Sequence, residues 1–160
     1  SVDVFVWKVT NGVVNPTPQK YAFPVATPSY YWSVVPMPIG MTGYMGFFST
    51  SATNGLIWMN STMGEVSRSS GVRTSGGDVI TINGRVYVAY TAYSGDQKGV
   101  MRICDITDGK YNQIFNYTME ASGANGNGTA SACLMVKNNE LYAVFGCTGS
   151  GLYFYRIACK

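Results

Sequence analysis

The chain has 160 residues, 12% of them charged and 14% aromatic, with 19 glycines, no histidine and a formal net charge of +3. The missing histidine excludes Ser-His and Cys-His nucleophilic pairs. The small positive charge is spread over single Lys and Arg residues, which argues against a phosphate-binding face and against a nucleic-acid partner. Apolar residues reach 46%, enough to offset the entropy of ordering one domain over 1–160 and to exclude a disordered chain.

In chain order, "VDVFVWKVTNG" (Val2 to Gly12) alternates and closes on Asn-Gly, which predicts a strand and a tight turn. All six prolines fall between Pro16 and Pro38. Proline cannot donate to a sheet ladder, so residues 1–40 are expected to form an extended or edge-strand segment packed on the sheet. Tyr30, Tyr31, Trp32, Val34 and Val35 are costly to leave in water, so Trp32 is expected to be buried. Residues 41–160 read as β-hairpins. "STMGEVSRSSGVRTSGG" (Ser61 to Gly77) and "EASGANGNGTAS" (Glu120 to Ser131) read as loops, being glycine-rich without helical periodicity. "DVITINGRVYVAY" (Asp78 to Tyr90) is the clearest hairpin, since Asn83-Gly84 accepts the positive φ angles of a type I′ turn. "CLMVKNNELYAVFGC" (Cys133 to Cys147) repeats the plan around Asn138-Asn139. "GLYFYRIAC" (Gly151 to Cys159) is a last strand, with Tyr153, Tyr155 and Ile157 on one face and Leu152, Phe154 and Arg156 on the other.

Three stretches share one scheme of aromatic strand, polar loop, glycine and apolar strand. They are Tyr44 to Met59, Tyr87 to Ile103 and Tyr142 to Ile157. Their spacing is near that of a propeller blade. Successive β-hairpins look alike for physical reasons alone, and three units do not close a propeller. The expected fold is therefore all-β: a single compact antiparallel β-sandwich or strongly twisted sheet, with little or no helix.

Catalytic equipment is sparse in the sequence. The acids Asp3, Glu65, Asp78, Asp96, Asp105, Asp108, Glu120 and Glu140 are scattered. Asp105 and Asp108 in "DITDGK" read better as a turn closing a hairpin than as an acid pair. "SGANGNG" lacks the Gly-Lys-Ser/Thr of a phosphate loop. Cys104, Cys133, Cys147 and Cys159 show no metal-ligand spacing, so no metal and no cofactor is expected; disulfides and free thiols both remain open. No apolar run approaches membrane-spanning length, so membrane insertion is not expected. The sequons at Asn60, Asn116 and Asn127 matter only in a secretory lumen.

What the chain has in quantity is tyrosine, 12 copies, often beside Ser, Gly or Asn. A tyrosine ring offers an apolar plate and a polar tip, the two things a sugar needs. Most tyrosines alternate on strands and read as core. The loop members Tyr93 and Tyr111 are the better candidates for ligand contact. Arg68, Arg73, Lys98 and Arg102 are candidate charged donors for an acidic sugar or a carboxylate.

Two motifs carry a family likeness. The approach through Pro24 and Pro28 into Tyr31, Trp32, Val34, Val35 and Pro36 resembles the N-terminal signature of the lectin-like head domain of rotavirus outer-capsid spike proteins. The hairpin "INGRVYVAY" (Ile82 to Tyr90) is similar to a second element of that family. The chain resembles a divergent, non-group-A type such as group B. The resemblance implies an all-β head on the virion surface, joined to the remainder of the spike protein and attaching to host-cell glycans. "AYSG" (Ala92 to Gly95) resembles the family's Tyr-Ser pair at a sugar cleft, which implies ligand contact at Tyr93 and Ser94. The expected function is non-enzymatic attachment to a carbohydrate receptor, through Tyr93, Ser94, Lys98, Arg102, Arg73 and Tyr111. The alternative is a structural or protein-binding β-module such as a propeller or fibre fragment.

Overall fold

The structure, a computed structural model, describes residues 3–22, 31–36, 45–49, 56–59, 65–69, 73–93, 99–118, 132–147 and 151–158. Every regular element among these residues is a β-strand. The first part is a ribbon. In it β1 (Asp3–Val6) pairs with β4 (Gln19–Ala22), and β2 (Val9–Thr10) with β3 (Val13–Val14). Asn11 and Gly12 take φ values of 53° and 78°, so the dipeptide closes its strands as a two-residue loop. Below the loop, the Asn15 amide donates to the Lys8 carbonyl at 2.8 Å. Phe5, Trp7, Val9, Val13 and Val14 are exposed. Of the proline-rich segment, residues 31–36 join a four-stranded sheet as its edge strand, while β1 and β4 pair with each other and with no other described strand.

Three antiparallel meanders come after the ribbon. The first is β5 (Tyr31–Pro36), β6 (Met45–Ser49), β7 (Leu56–Met59) and β8 (Glu65–Ser69), adjacent in that order. Pro36 lies on the edge strand, where a missing donor costs no ladder bond. The burial expected of the Trp32 side chain lies outside the described residues. The second meander is β9 (Arg73–Ile82), β10 (Arg85–Tyr93), β11 (Gly99–Asp105) and β12 (Asn112–Thr118). The third is β13 (Ala132–Lys137), β14 (Glu140–Cys147) and β15 (Gly151–Ile157). The three similar stretches of sequence coincide with the β6–β7, β10–β11 and β14–β15 pairs.

The turns obey their chemistry. Asn83 and Gly84 have φ of 51° and 75°, and Asn138 and Asn139 of 51° and 61°. Each pair links strands in register, Ile82 opposite Arg85 and Lys137 opposite Glu140, as type I′ loops require. One expectation is corrected: β8 and the start of β9 occupy part of the stretch read as a loop. Pairing with β7 and β10 recruits these Ser-, Gly- and Arg-rich residues, which carry no alternation of their own. The loop expected over Glu120 to Ser131 lies outside the described residues.

The core forms where the second and third meanders face each other. Tyr87, Ala89, Met101 and Ile103 meet Leu134, Leu141, Ala143 and Phe145, all buried. Tyr153, Tyr155 and Ile157 pack against the cluster from β15. The Phe115 ring lies 4.7 Å from the Tyr155 ring and 6.3 Å from that of Phe145, centroid to centroid. Residues Val86 to Thr91 of β10 are buried without a break, so this strand is covered on both faces. β5, β6 and β13 all adjoin β9.

The alternation on β14 and β15 makes a direct test. Leu141→Ala, in the core, is expected to cost about 2–5 kcal/mol, whereas Leu152→Ala on the outer face is expected to stay within about 0.5 kcal/mol. Urea denaturation at sub-micromolar protein reads both, with unchanged m-values.

Candidate functional site

The central sheet places several sequence-selected residues in a definite relation. β10 ends at Tyr93, and its register sets Tyr93 opposite Arg73 on β9 and opposite Gly99 on β11. A register shift between Thr91 and Ala92 marks a bulge in the β9–β10 pairing, two residues before that end. Bulges bend a strand and re-aim the residues beyond them. Thr91 is fully buried beside it, and its Oγ1 has no hydrogen-bond partner. The connection from β10 to β11 carries Ser94 and Lys98, which lie outside the described residues. The side chains of Arg73, Tyr93 and Arg68 do so as well.

Arg102 sits further along the same sheet. On β11 it is opposite Tyr90 of β10 and Asn116 of β12, and its Nε donates to Asn116 Oδ1 at 3.1 Å. The guanidinium is thus engaged by a neighbouring side chain and remains half-buried. Two positions on, burial pushes the Cys104 thiol up from its usual pKa, with Tyr90 and Arg102 acting in the opposite sense. Cys133 is also raised, by desolvation and then by the Asp78 carboxylate. Cys104 and Cys133 are free thiols and stay protonated near neutral pH.

Tyr111 is placed elsewhere. It precedes β12, whose first residue Asn112 is opposite Asp105, while Tyr93 is opposite Gly99 at the other end of β11. With 7 residues in β11, the two ends stand about 20 Å apart at ~3.3 Å per residue. Arg73 and Tyr93 therefore come together, Arg102 lies along the sheet from them, and Tyr111 belongs to the opposite end.

Among the described residues, Asp78, Asp105 and Asp108 are structural ties. Asp105 is 5% exposed. Its Oδ2 accepts from Arg85 Nε at 2.7 Å, and its Oδ1 accepts from the Thr107 amide at 3.0 Å and the Thr107 hydroxyl at 2.6 Å. Thr107 Oγ1 in turn accepts from the Val86 amide at 2.8 Å, and the Ile106 amide donates to the Val86 carbonyl at 2.9 Å. These bonds pin the β11–β12 connection to the start of β10. Burial alone raises the Asp105 pKa, but the Thr107 bonds and the Arg85 charge outweigh it and hold the carboxyl below its ordinary value. Asp108 Oδ1 accepts from the Lys110 amide and from Asn112 Nδ2, both at 3.0 Å, which closes the turn with Gly109 at φ 79°. The two carboxylates thus serve one turn, as the sequence suggests, and Asp105 also anchors a second strand. Asp78 does similar work between sheets: Oδ1 accepts from the Val79 amide and Oδ2 from the Leu134 amide, both at 2.9 Å.

A surface that sequence reasoning passed over lies on the third meander. Its outer face carries Met135, Leu152 and Phe154, all exposed, with Val144 opposite Phe154 in register. At one margin Glu140 accepts from the Tyr142 hydroxyl at 2.7 Å and from Arg156 Nη1 at 3.4 Å. The alternation of β15 was a usable signal, because both of its faces are apolar.

Among the described residues no group of three or more His, Cys, Asp or Glu is placed to hold a metal ion. No described helix is long and apolar enough to cross a membrane. No protein-family model matches the chain, and no curated protein matches it.

The Asp105 tie has a pH signature. Its folded pKa is depressed, so its contribution is complete above the unfolded carboxylate pKa and is lost as pH falls through the folded one. Asp105→Asn is expected to be less stable than the parent at pH 7 by about 1–3 kcal/mol, with the gap closing below about pH 4. Chemical denaturation at pH 7 and pH 3 checks it.

Proposed function

We propose that this chain is a non-catalytic attachment domain that binds host-cell glycans from the surface of a virion, as part of a larger spike protein. The observation that carries the reading is the register pairing of Arg73 with Tyr93 at the bulged end of the central sheet. It brings an aromatic residue and an arginine to one register position, from strands joined at the far end by the Asn83-Gly84 turn. Ser94 and Lys98 come next along the chain, in the β10–β11 connection. An aromatic ring and a fork of charged donors together suit a sugar that carries a carboxylate. The pairing is set by backbone hydrogen bonds, so the two positions are held by a rigid scaffold, as binding sites generally need.

The motifs at Pro24 to Pro36 and Ile82 to Tyr90 support the same reading through their likeness to rotavirus spike heads. A second reading, a structural or protein-binding β-module, draws support from the exposed apolar face of the third meander.

A glycan array with the purified chain is expected to give binding to acidic oligosaccharides. Tyr93→Ala and Arg73→Ala are each expected to weaken that binding by about tenfold or more, whereas Tyr111→Ala is expected to stay within about twofold. Silence toward every sugar, or equal sensitivity at Tyr111, would overturn the assignment.

A further inference from the structure

We infer that the outer face of β13–β15 is an interface for a second copy of this chain, packed face to face on the same surface. The face has a mixed design. Over Ala132 to Met135 of β13 the burial pattern alternates, with Leu134 inside and Met135 outside. Along β15, Tyr153 and Tyr155 turn to the core, while Leu152 is 67% and Phe154 69% exposed. Val144 lies on the middle strand, opposite Phe154 on one side and Cys133 on the other. A solvated sheet face in an antiparallel meander is ordinarily polar. This one is apolar over most of its length, as the faces of β10 are, and both faces of β10 are covered.

The nature of the occupant can be read from charge and chemistry. At the margin Glu140 pairs with Arg156, and the exposed Lys137 stands opposite Glu140 on β13, so the face carries one surplus cation and no strong field. One surplus cation is too few for anionic membranes or polyanions, which need several. The apolar half has no hydroxyl, amide or carboxylate for a sugar, and the nearest such groups, on Tyr142 and Glu140, are bonded to each other. What fits is another apolar sheet face at the ~10 Å separation of stacked sheets. An identical face supplies one, and a two-fold arrangement makes the surface self-complementary. The N-terminal ribbon is a weaker candidate as the interface, because its exposed apolar residues include the consecutive Val13 and Val14, which point to opposite faces of a strand.

Area sets the strength. The strands have 6, 8 and 7 residues, a face of about 350 Å² in plan at ~4.8 Å between strands. Two such faces cover about 700 Å² in plan, below the usual range of a specific, stable interface and in that of weak, transient contacts. The pair is therefore weak, reversible and concentration-dependent. It goes beyond the glycan reading and does not rest on it, and its value for attachment is that two heads held together raise avidity.

Sedimentation velocity over roughly 1–500 µM protein is expected to show a monomer–dimer equilibrium. Phe154→Lys and Leu152→Ser, both at exposed positions, are expected to raise the dissociation constant about tenfold or more, while Phe5→Ser on the ribbon and Arg73→Ala leave it unchanged. In the parent chain, NMR signals of the Met135 and Leu152 methyls are expected to move with concentration while those of Leu141 stay put. Circular dichroism and melting curves establish that each variant is folded. A chain that stays monomeric throughout, or a dimer broken by Phe5→Ser and indifferent to Phe154→Lys, overturns the proposal. Glycan affinity per chain, measured on Phe154→Lys, is expected to be unaltered, so failure of the dimer and failure of the glycan reading give different results.

Discussion

The whole arrangement depends on keeping β10 out of water on both of its faces. Residues Val86 to Thr91 are all buried, and no single sheet can cover a strand twice. One side is closed by Leu134, Leu141, Ala143 and Phe145 of the third meander. The ladder bonds to β9 and β11 meet the strand's backbone groups. A run such as "VYVAYT" is what a doubly covered strand demands, since alternation with polar residues would put hydroxyls and charges into the core. The fully buried Thr91 hydroxyl stands beside the bulge where regular pairing shifts.

Polar groups then lock the layers together. Asp78 reaches from β9 to the backbone of β13, and Asp105 joins the β11–β12 connection to Arg85 and, through Thr107, to β10. Each carboxylate here replaces lost water with several donors, the condition under which a buried or half-buried charge is tolerable. The same donors leave these acids little freedom for chemistry. Tyr93 and Arg73 share a register position on neighbouring strands at the sheet end, away from these ties.

The outer surfaces divide the molecule into unlike parts. The ribbon is a two-stranded extension with exposed rings, where Phe5 lies under Lys20 and beside Trp7. The third meander presents an apolar wall with the Glu140–Arg156 ion pair and the exposed Lys137 at its edge.

Much of the local structure is written in short stretches of sequence. Asn11-Gly12, Asn83-Gly84 and Asn138-Asn139 tolerate positive φ, so the three tight hairpins are legible directly. The period of two on β15 is enough to separate Tyr153 and Tyr155 from Leu152 and Phe154. Those features depend on backbone sterics and on neighbours one or two residues away. Tertiary structure alone decided that a Ser- and Gly-rich stretch becomes strand, and that Asp105 is a buried anchor as well as a turn residue. It also decided that Arg73 pairs with Tyr93 while Tyr111 lies at the far end of the sheet. Each of these rests on pairing between segments distant along the chain, and only the closing of one shared core selects that register.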